Sequence, residues 1–525
     1  MSTAPASTAR RGGLAGYLDR RNIIAPMGYN RWLIPPAALA VHLSIGQVYA
    51  TSVYKTSLAA HFGVGLTEIG VIFSIAIVML GVSAAVLGTW VDRNGPRKAM
   101  FFSMCFWVTG FLIGALGIAT QQLWLLYFGY GFIGGIGLGI GYISPVSTLI
   151  KWFPDRPGLA TGLAIMGFGG GAMVASPISR QLMSLYDPAF DPSDKAAVVS
   201  GSAVALLFVT LAAIYLVLML IGVANIRLPH PDWKPDGWTP APAKSNSMIT
   251  DKSVSAKNAI RTPQFWLLWI VLFTNITAGI GILEQASPMI QDFFRQPDGT
   301  STVAAAAAAG FVGLLSLFNM AGRFVWSSTS DKIGRKPIYM IYLGVGMLMF
   351  AGLALLGHTS VALFVLFAVI ALSFYGGGFA TIPAYLRDMF GTYQVGAIHG
   401  RLLTAWSAAG VAGPLIVNAV LDAQGKPGEL DAGAYRVALF IMIGVLAVGF
   451  IANLLVRAVD SRFHEPEDVV KAHLDELNGR SEIDQVGDKS LPGAGRLVFS
   501  WLIVSGILAY GVILTAITAA QLFIH

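Results

Sequence analysis

The sequence predicts an all-α polytopic membrane protein of thirteen helices, twelve of them as six plus six and one appended at the C-terminus. Three observations predict it. Hydrophobic residues make up 55% of the 525 residues and charged residues only 12%, against about 25% charged in an ordinary soluble domain. The apolar residues fall in runs long enough to cross a hydrocarbon core of about 30 Å at about 1.5 Å per residue. The longest polar stretch among the first twelve runs, 226–262, leaves six on either side. No soluble core needs this much apolar surface. A disordered chain, a nucleic-acid-binding protein and an ordinary cytosolic enzyme are excluded.

The elements follow in order. Residues 1–30 are a basic tail with no short apolar stretch of the kind a cleavable signal needs, so the first span is its own insertion signal. The expected spans are 32–55, 66–91, 98–119, 122–150, 159–183, 201–225, 264–290, 303–328, 337–357, 360–386, 399–421, 434–457 and 496–523. Membrane strands would alternate over about ten residues, and no such alternation occurs. The spans group into an N-terminal bundle (31–225), a linker (226–262), a C-terminal bundle (263–457), a second polar linker (458–494) and an extra span (495–525). Within the second linker, 467–477 reads either as a short amphipathic helix at the interface or as solvated chain.

Basic residues collect on one side of the spans. They are Arg10, Arg11, Arg20, Arg21 and Arg31 in the tail, Arg93, Arg97 and Lys98 after the second span, Lys234, Lys244, Lys252, Lys257 and Arg261 in the first linker, and Lys332, Arg335 and Lys336 after the eighth span. The opposite loops carry Asp187, Asp191, Asp194, Asp292 and Asp298. The positive-inside rule then puts the N-terminus in the cytoplasm. An odd number of spans puts His525 outside.

Two loops repeat one another. The first runs Gly88, Asp92, Arg93, Gly95, Arg97, Lys98; the second runs Ser327, Asp331, Lys332, Gly334, Arg335, Lys336. A small residue admits a neighbouring helix, glycine permits a tight turn, and aspartate with the bases can pair across helix ends to hold the inward face shut. Gly88, Asp92, Arg93, Arg97, Asp331 and Arg335 are therefore the expected gate. Glycine runs in the fourth span (Gly134, Gly135, Gly137, Gly139, Gly141) and the fifth (Gly167, Gly169, Gly170, Gly171) lie inside helices, which excludes a nucleotide loop and fits close helix packing. The single cysteine, Cys105, excludes an intrachain disulfide and a cysteine metal site.

Ionisable residues inside spans point to function, because burying one costs at least about 2.5–3.5 kcal/mol. Arg323 lies eight residues before Asp331, so about 12 Å inside the boundary. Asn319 sits one turn earlier on the same face. A guanidinium beside an amide suits a carboxylate, unless a carboxylate or carbonyls elsewhere in the bundle occupy it. His42 is near the same depth and reads either as a proton carrier or as a neutral imidazole bonded to a neighbouring helix. Glu284 is near the outer end of the seventh span, either interfacial or a gating and proton group. Tyr49, Tyr142, Tyr375 and Trp406 are aromatics with polar handles at about the depth of Arg323.

The six-plus-six plan with the paired loops resembles the major facilitator superfamily. Asn319-Met-Ala-Gly322-Arg323, Gly46-Gln-Val-Tyr49, Phe379-Ala-Thr-Ile-Pro383 and Leu403-Thr-Ala-Trp406 with Gly413-Pro414 resemble the oxalate/formate antiporter family, close to the monocarboxylate transporters. The resemblance covers about residues 30–457 and implies that Arg323 binds a substrate carboxylate, that Asn319 assists, and that Tyr375 and Phe379 line the site. It also carries a departure. Where the oxalate exchanger has a second cation in the eleventh helix, this chain has Trp406. One cation suits one carboxylate, and an indole suits a short apolar tail. The expected activity is therefore secondary transport of small monocarboxylates such as lactate, pyruvate, formate or acetate, coupled to protons, with an oxalate/formate-type anion exchanger as the alternative and a non-transporting carboxylate sensor as a remoter one. The extra span resembles the one-helix small subunits beside some of these transporters, or is an unrelated tail anchor. No cofactor, metal or nucleic acid is expected, and the expected partners are substrate, protons or a counter-anion, and the bilayer of the plasma membrane, around a monomer. No nucleophile–base pair or metal motif suggests an enzyme.

Overall fold

The computed structural model describes residues 13–190, 198–239, 248–296, 301–303, 305–425, 430–478, 491–520 and 522. Arg10, Arg11, Asp191, Asp194, Lys244, Asp298 and His525 lie outside the described residues.

The long helices are α1 (Ile34–Ile45), α2 (Leu66–Asn94), α3 (Pro96–Ala119), α4 (Gly134–Trp152), α5 (Pro157–Tyr186), α6 (Gly201–Asn225), α7 (Pro263–Phe293), α8 (Ala305–Ile333), α9 (Arg335–Leu356), α10 (Val361–Phe390), α11 (Thr404–Gln424), α12 (Ala432–Leu455) and α13 (Ala494–Ala520). Their starts follow the sequence. Proline opens α3, α5 and α7, where its missing N–H costs nothing. Thr262 caps α7 by accepting from the Phe265 amide, and Asp431 caps α12 through the Ala434 amide. Gly95 and Gly334 take φ of 83° and 93° in the turns between α2 and α3 and between α8 and α9. Only glycine adopts that backbone freely.

Twelve helices among the described residues are long and apolar enough to cross a membrane. α13 is one of them. α8, 29 residues long with Asn319 and Arg323 near its middle, is not among the twelve, so the expected thirteenth span is not established.

Three spans differ from the expected plain helices. The first changes at Gly46 into a 3-10 helix, Gly46–Val53. There α1 crosses α5 backbone to backbone: a Cβ on Gly171 would lie 2.6 Å from the Gly46 Cα. The fourth carries a π-helical stretch, Tyr127–Ile133, ahead of α4. The eleventh begins earlier than expected, as Val395–Leu402, and breaks at Leu403 before α11. The segment 467–477 is a helix, Glu467–Asn478, with no buried residue. It rests on protein groups: Asn478 accepts from Arg20, and Glu467 pairs with Lys252 and raises its pKa. Cys105 is half-buried.

Within the first six long helices α1 packs on α5 and α6, α2 on α4, and α3 on α4 and α6. Within the next six α7 packs on α11 and α12, α8 on α10, and α9 on α10 and α12. The two sets meet along two seams. One is α5 against α8 and α10; the other is α2 against Val395–Leu402 and α11. α13 lies over the first seam, against α5, α8 and α1.

The repeated loops close the same end of both seams. Asp331, at the end of α8, accepts from the Gly158 and Leu159 amides at the start of α5, both at 2.8 Å. Asp92, at the end of α2, accepts from the Ala397 amide at 2.8 Å, at the start of Val395–Leu402. Each carboxylate caps a helix N-terminus of the other set, where the helix dipole favours negative charge. Arg335 ties Asp331 (2.7 Å) to Asp388 (2.9 Å). The first loop departs from the expected pairing of bases with aspartate. Arg97 is buried and donates to the Val223, Ile226 and Tyr17 carbonyls, which fastens the end of α6. Arg93 is exposed. Gly88 permits the approach, since a Cβ there would lie 2.8 Å from the Ala397 Cα.

Charge-assisted hydrogen bonds contribute about 1.5–3 kcal/mol each. Asp331→Ala removes two of them across the seam, so we expect the closed end to open at least about tenfold more often. Maleimide labelling of Thr161→Cys in a Cys105→Ser background measures this; an unchanged rate would show that the cap does not hold the seam.

Candidate functional site

Arg323 has no exposed surface. Its position follows from two features of the sequence. Asn319, one turn earlier on α8, accepts from its Nε at 3.1 Å. Gly169 on α5 leaves the room it needs, because a Cβ there would lie 2.7 Å from that Nε. The Ile165 carbonyl of α5 accepts from Nη1 at 3.3 Å, and Nη2 has no partner. Of the two outcomes open from sequence, the carbonyl is present and no carboxylate among the described residues pairs with this guanidinium.

Aromatic rings enclose it. The guanidinium carbon lies 5.1 Å from the Phe379 ring and 5.8 Å from the Phe168 ring. Trp406 stands 4.5 Å from Phe379 and 5.4 Å from both Phe168 and Tyr142, centroid to centroid. Tyr375 meets Phe379 at 5.2 Å, and Tyr49 meets Phe168 at 5.3 Å. The cage draws on the first span (Tyr49), α4, α5, α8, α10 and α11, so it straddles both seams.

The polar atoms of the cage carry the chemical information. The Tyr142 hydroxyl, the Trp406 Nε1 and the Arg323 Nη2 are buried without a hydrogen-bond partner, and the Tyr49 and Tyr375 hydroxyls, which face one another with Arg323 beside Tyr49, are buried without a well-formed one. An unsatisfied buried donor costs about 1–3 kcal/mol. Several such donors around one positive charge without a carboxylate partner among the described residues have the chemistry that suits a small anion rich in acceptors. A carboxylate, with about four lone-pair sites on two oxygens, matches that demand.

His42, on α1, lies beside the cage. Its Nδ1 is 2.5 Å from the Ala164 carbonyl and its Nε2 3.1 Å from the Tyr142 carbonyl, and its ring stacks on Tyr142 at 5.4 Å. Pro145 in α4 has no N–H and frees the Gly141 carbonyl beside the same imidazole. A neutral imidazole has one N–H and satisfies one of these carbonyls; an imidazolium satisfies both. Glu284 stands apart: its side chain is exposed near Lys55 and Asn418 at the other end of the bundle.

Three members were not singled out from sequence. Phe168 is one of 30 phenylalanines, and nothing local marks it. Ile165 acts through its backbone. His399, buried with its Nε2 unpartnered and its ring 5.8 Å from Tyr142, sits on Val395–Leu402, which the expected boundary at 399 only just reached. Depth inside a span is the signal that marks His42; with the eleventh span drawn from 399, His399 sat at its boundary and carried no such mark.

This arrangement has known counterparts. The profile of the Major Facilitator Superfamily matches residues 37–414 and 316–524. The chain belongs to the Major Facilitator Superfamily. Membership makes it a multi-pass secondary transporter and places it outside the enzymes. It is 27% identical over 389 residues to the oxalate:formate antiporter of Oxalobacter formigenes, covering 73% of this chain and 83% of that one. It is 24% identical over 339 residues to apicoplast pyruvate carrier 1 of Toxoplasma gondii, covering 57% and 60%. Its fold is similar to the fucose:proton symporter of E. coli, with a TM-score of 0.59, 14% identity and coverage of 82% of this chain and all of that one.

Because Gly169 sets the clearance of the Arg323 guanidinium, Gly169→Val forces that side chain to shift. We expect at least a tenfold loss of substrate affinity with normal membrane insertion, measured by substrate-induced thermal stabilisation; wild-type affinity would mean that the observed guanidinium position is not the binding position.

Proposed function

We propose that this transporter carries small monocarboxylates, of the size of formate, acetate, pyruvate or lactate, by alternating access and in symport with protons. The observation that carries the reading is the buried Arg323 guanidinium with no counter-carboxylate, surrounded by unpartnered donors from both helix sets. One fixed cation neutralises one carboxylate. Trp406, Phe379 and Phe168 offer an apolar wall to a one- to three-carbon tail. The names of the two sequence relatives, one an oxalate:formate antiporter and one a pyruvate carrier, support small carboxylates as the class of cargo.

The halves are residues 31–225 and 263–457, joined by the linker 226–262, and they rock about the cage between the α5–α8 and α2–α11 seams. In this reading α8 also spans the membrane, making thirteen spans with α13. The N-terminus is then cytoplasmic and the C-terminus external, and the aspartate caps close the cytoplasmic end. The empty carrier holds an uncompensated charge, so substrate stabilises the change of face.

Moving one anion inward against about 100 mV costs about 2.3 kcal/mol, so uptake needs a compensating charge. His42 is the candidate carrier, because its protonated ring donates to both carbonyls it faces. Arg323, His399 and Tyr142 are the other charged or titratable groups near it. Exchange is the alternative. His42, within electrostatic range of Arg323, favours it, since its protonation supplies a second charge for a dianion such as oxalate.

Labelled lactate uptake into proteoliposomes separates the two. We expect uptake driven by an inward proton gradient and blocked by unlabelled pyruvate and acetate but not by oxalate. Uptake requiring internal anion and blocked by oxalate would establish the exchanger. Arg323→Lys keeps the charge but loses the planar fork, and we expect uptake to fall to background with normal insertion; uptake at the wild-type rate would remove Arg323 from the site. His42→Gln is expected to abolish gradient-driven uptake while substrate exchange at equal pH persists. Loss of both would make His42 structural.

A further inference from the structure

A second cavity lies away from the cage, between α1, α6 and α13. Its volume is about 290 Å³. Leu33, Pro36, Ala40 and Leu43 form one wall, Leu218 and Ile221 the second, and Phe499, Ile503, Val504 and Ile507 the third. Phe499 and Ile221 are exposed and form its lips. It runs along α13 from Arg496 to Ile507, about 16 Å at about 1.5 Å per residue. That matches half of a hydrocarbon core about 30 Å thick, the depth of one leaflet.

The mouth is cationic. Arg496 lines it and donates to the Asn225 amide oxygen at 2.5 Å. Arg227, two residues after Asn225, donates to the Ala224 and Ile226 carbonyls, both at 2.9 Å. Arg227 stands just outside the residues that line the cleft, within electrostatic range of Arg496, and Tyr29 lies within range of both. Neither arginine has a carboxylate partner among the described residues. This end of α6 and α13 is also the end where the basic loops lie.

We propose that this cleft binds one anionic phospholipid from the leaflet that the basic loops face. Arg227 and Arg496 hold the phosphodiester, and one acyl chain lies in the aliphatic groove between α13 and the α1–α6 pair. The apolar groove excludes a free anion as its natural occupant, and the paired arginines exclude a neutral lipid as the preferred one. The site is separate from the Arg323 cage, so it stands or falls independently of the cargo.

Native mass spectrometry of the purified full-length protein tests it, with phosphatidylglycerol and phosphatidylcholine of identical chains and with inorganic phosphate as competitor. We expect one phosphatidylglycerol per chain, retained at least about tenfold better than phosphatidylcholine and not displaced by excess phosphate. Arg227→Gln with Arg496→Gln should remove the preference. Ser500→Phe, which fills the groove and spares both arginines, should lower retention as well, and it keeps the test open if the double variant does not fold. Equal retention of the two lipids, an unchanged preference in the double variant, displacement by phosphate, or full retention in Ser500→Phe would each overturn the proposal.

Discussion

A permanently charged guanidinium in the middle of an apolar bundle, with no carboxylate to neutralise it, is the constraint on which this structure turns. Arginine does not shed its proton, so the bundle must solvate the charge by other means. Asn319 and the Ile165 carbonyl do part of it, and the faces of Phe379 and Phe168 do more. Nη2 is left over. The glycine at 169 is required by the same constraint, because α5 must come close enough for its carbonyl to accept while presenting no side chain. On another face of the same helix, Gly171 lets α5 cross α1 at Gly46, where the first span leaves α-helical geometry.

The closed end obeys a related economy. Two aspartates at homologous places in the repeat each bind backbone amides of the opposite helix set. A helix N-terminus attracts the anion without needing a partner side chain, so each cap forms or breaks as a unit when the seam moves. The two copies are not equivalent. The Asp331 copy carries the Arg335–Asp388 network, whereas in the Asp92 copy Arg97 has gone to carbonyls, Arg20 donates to the Asp92 carbonyl, and Lys151 and Arg20 supply the positive charge near its carboxylate. The two seams are therefore closed by different partners, a salt-bridged carboxylate on the α5–α8 side and a carboxylate with Lys151 and Arg20 nearby on the α2 side.

The features legible in the sequence are those where one residue contradicts its surroundings. Arg323 in an apolar run, Asn319 one turn away and the repeated order of small residue, aspartate, glycine and base are local contradictions, and each marks a place that the fold uses. The span order was legible for the same reason, since polar interruptions in apolar runs are local. What escaped depends on proximity in space. Phe168 and the Ile165 carbonyl look like any other apolar residues until α5 lies beside α8. The roles of Arg93 and Arg97 were misassigned because spacing does not say whether a base will find a carboxylate or a helix end. The break at Leu403 escaped because no proline or glycine marks it.

α13 follows from the seams rather than from the repeat. At its start it is tied to the first helix set: Trp501 donates to the Trp32 carbonyl at 2.9 Å, and Arg496 donates to Asn225. Near its end it packs on the second: a Cβ on Gly310 of α8 would lie 2.9 Å from the Thr518 carbonyl carbon. One helix is thus attached at both ends to bodies that transport requires to move against each other. Hydrogen bonds fix the first attachment, while glycine-to-backbone contact, which is non-directional, makes the second. Sliding is therefore cheaper at the Thr518 end than at the Trp501 end, and α13 should travel with α1 and α6. Gly506, with no atom close to where its Cβ would be, lies between the two attachments, so that point of the helix carries no packing contact on its Cβ side.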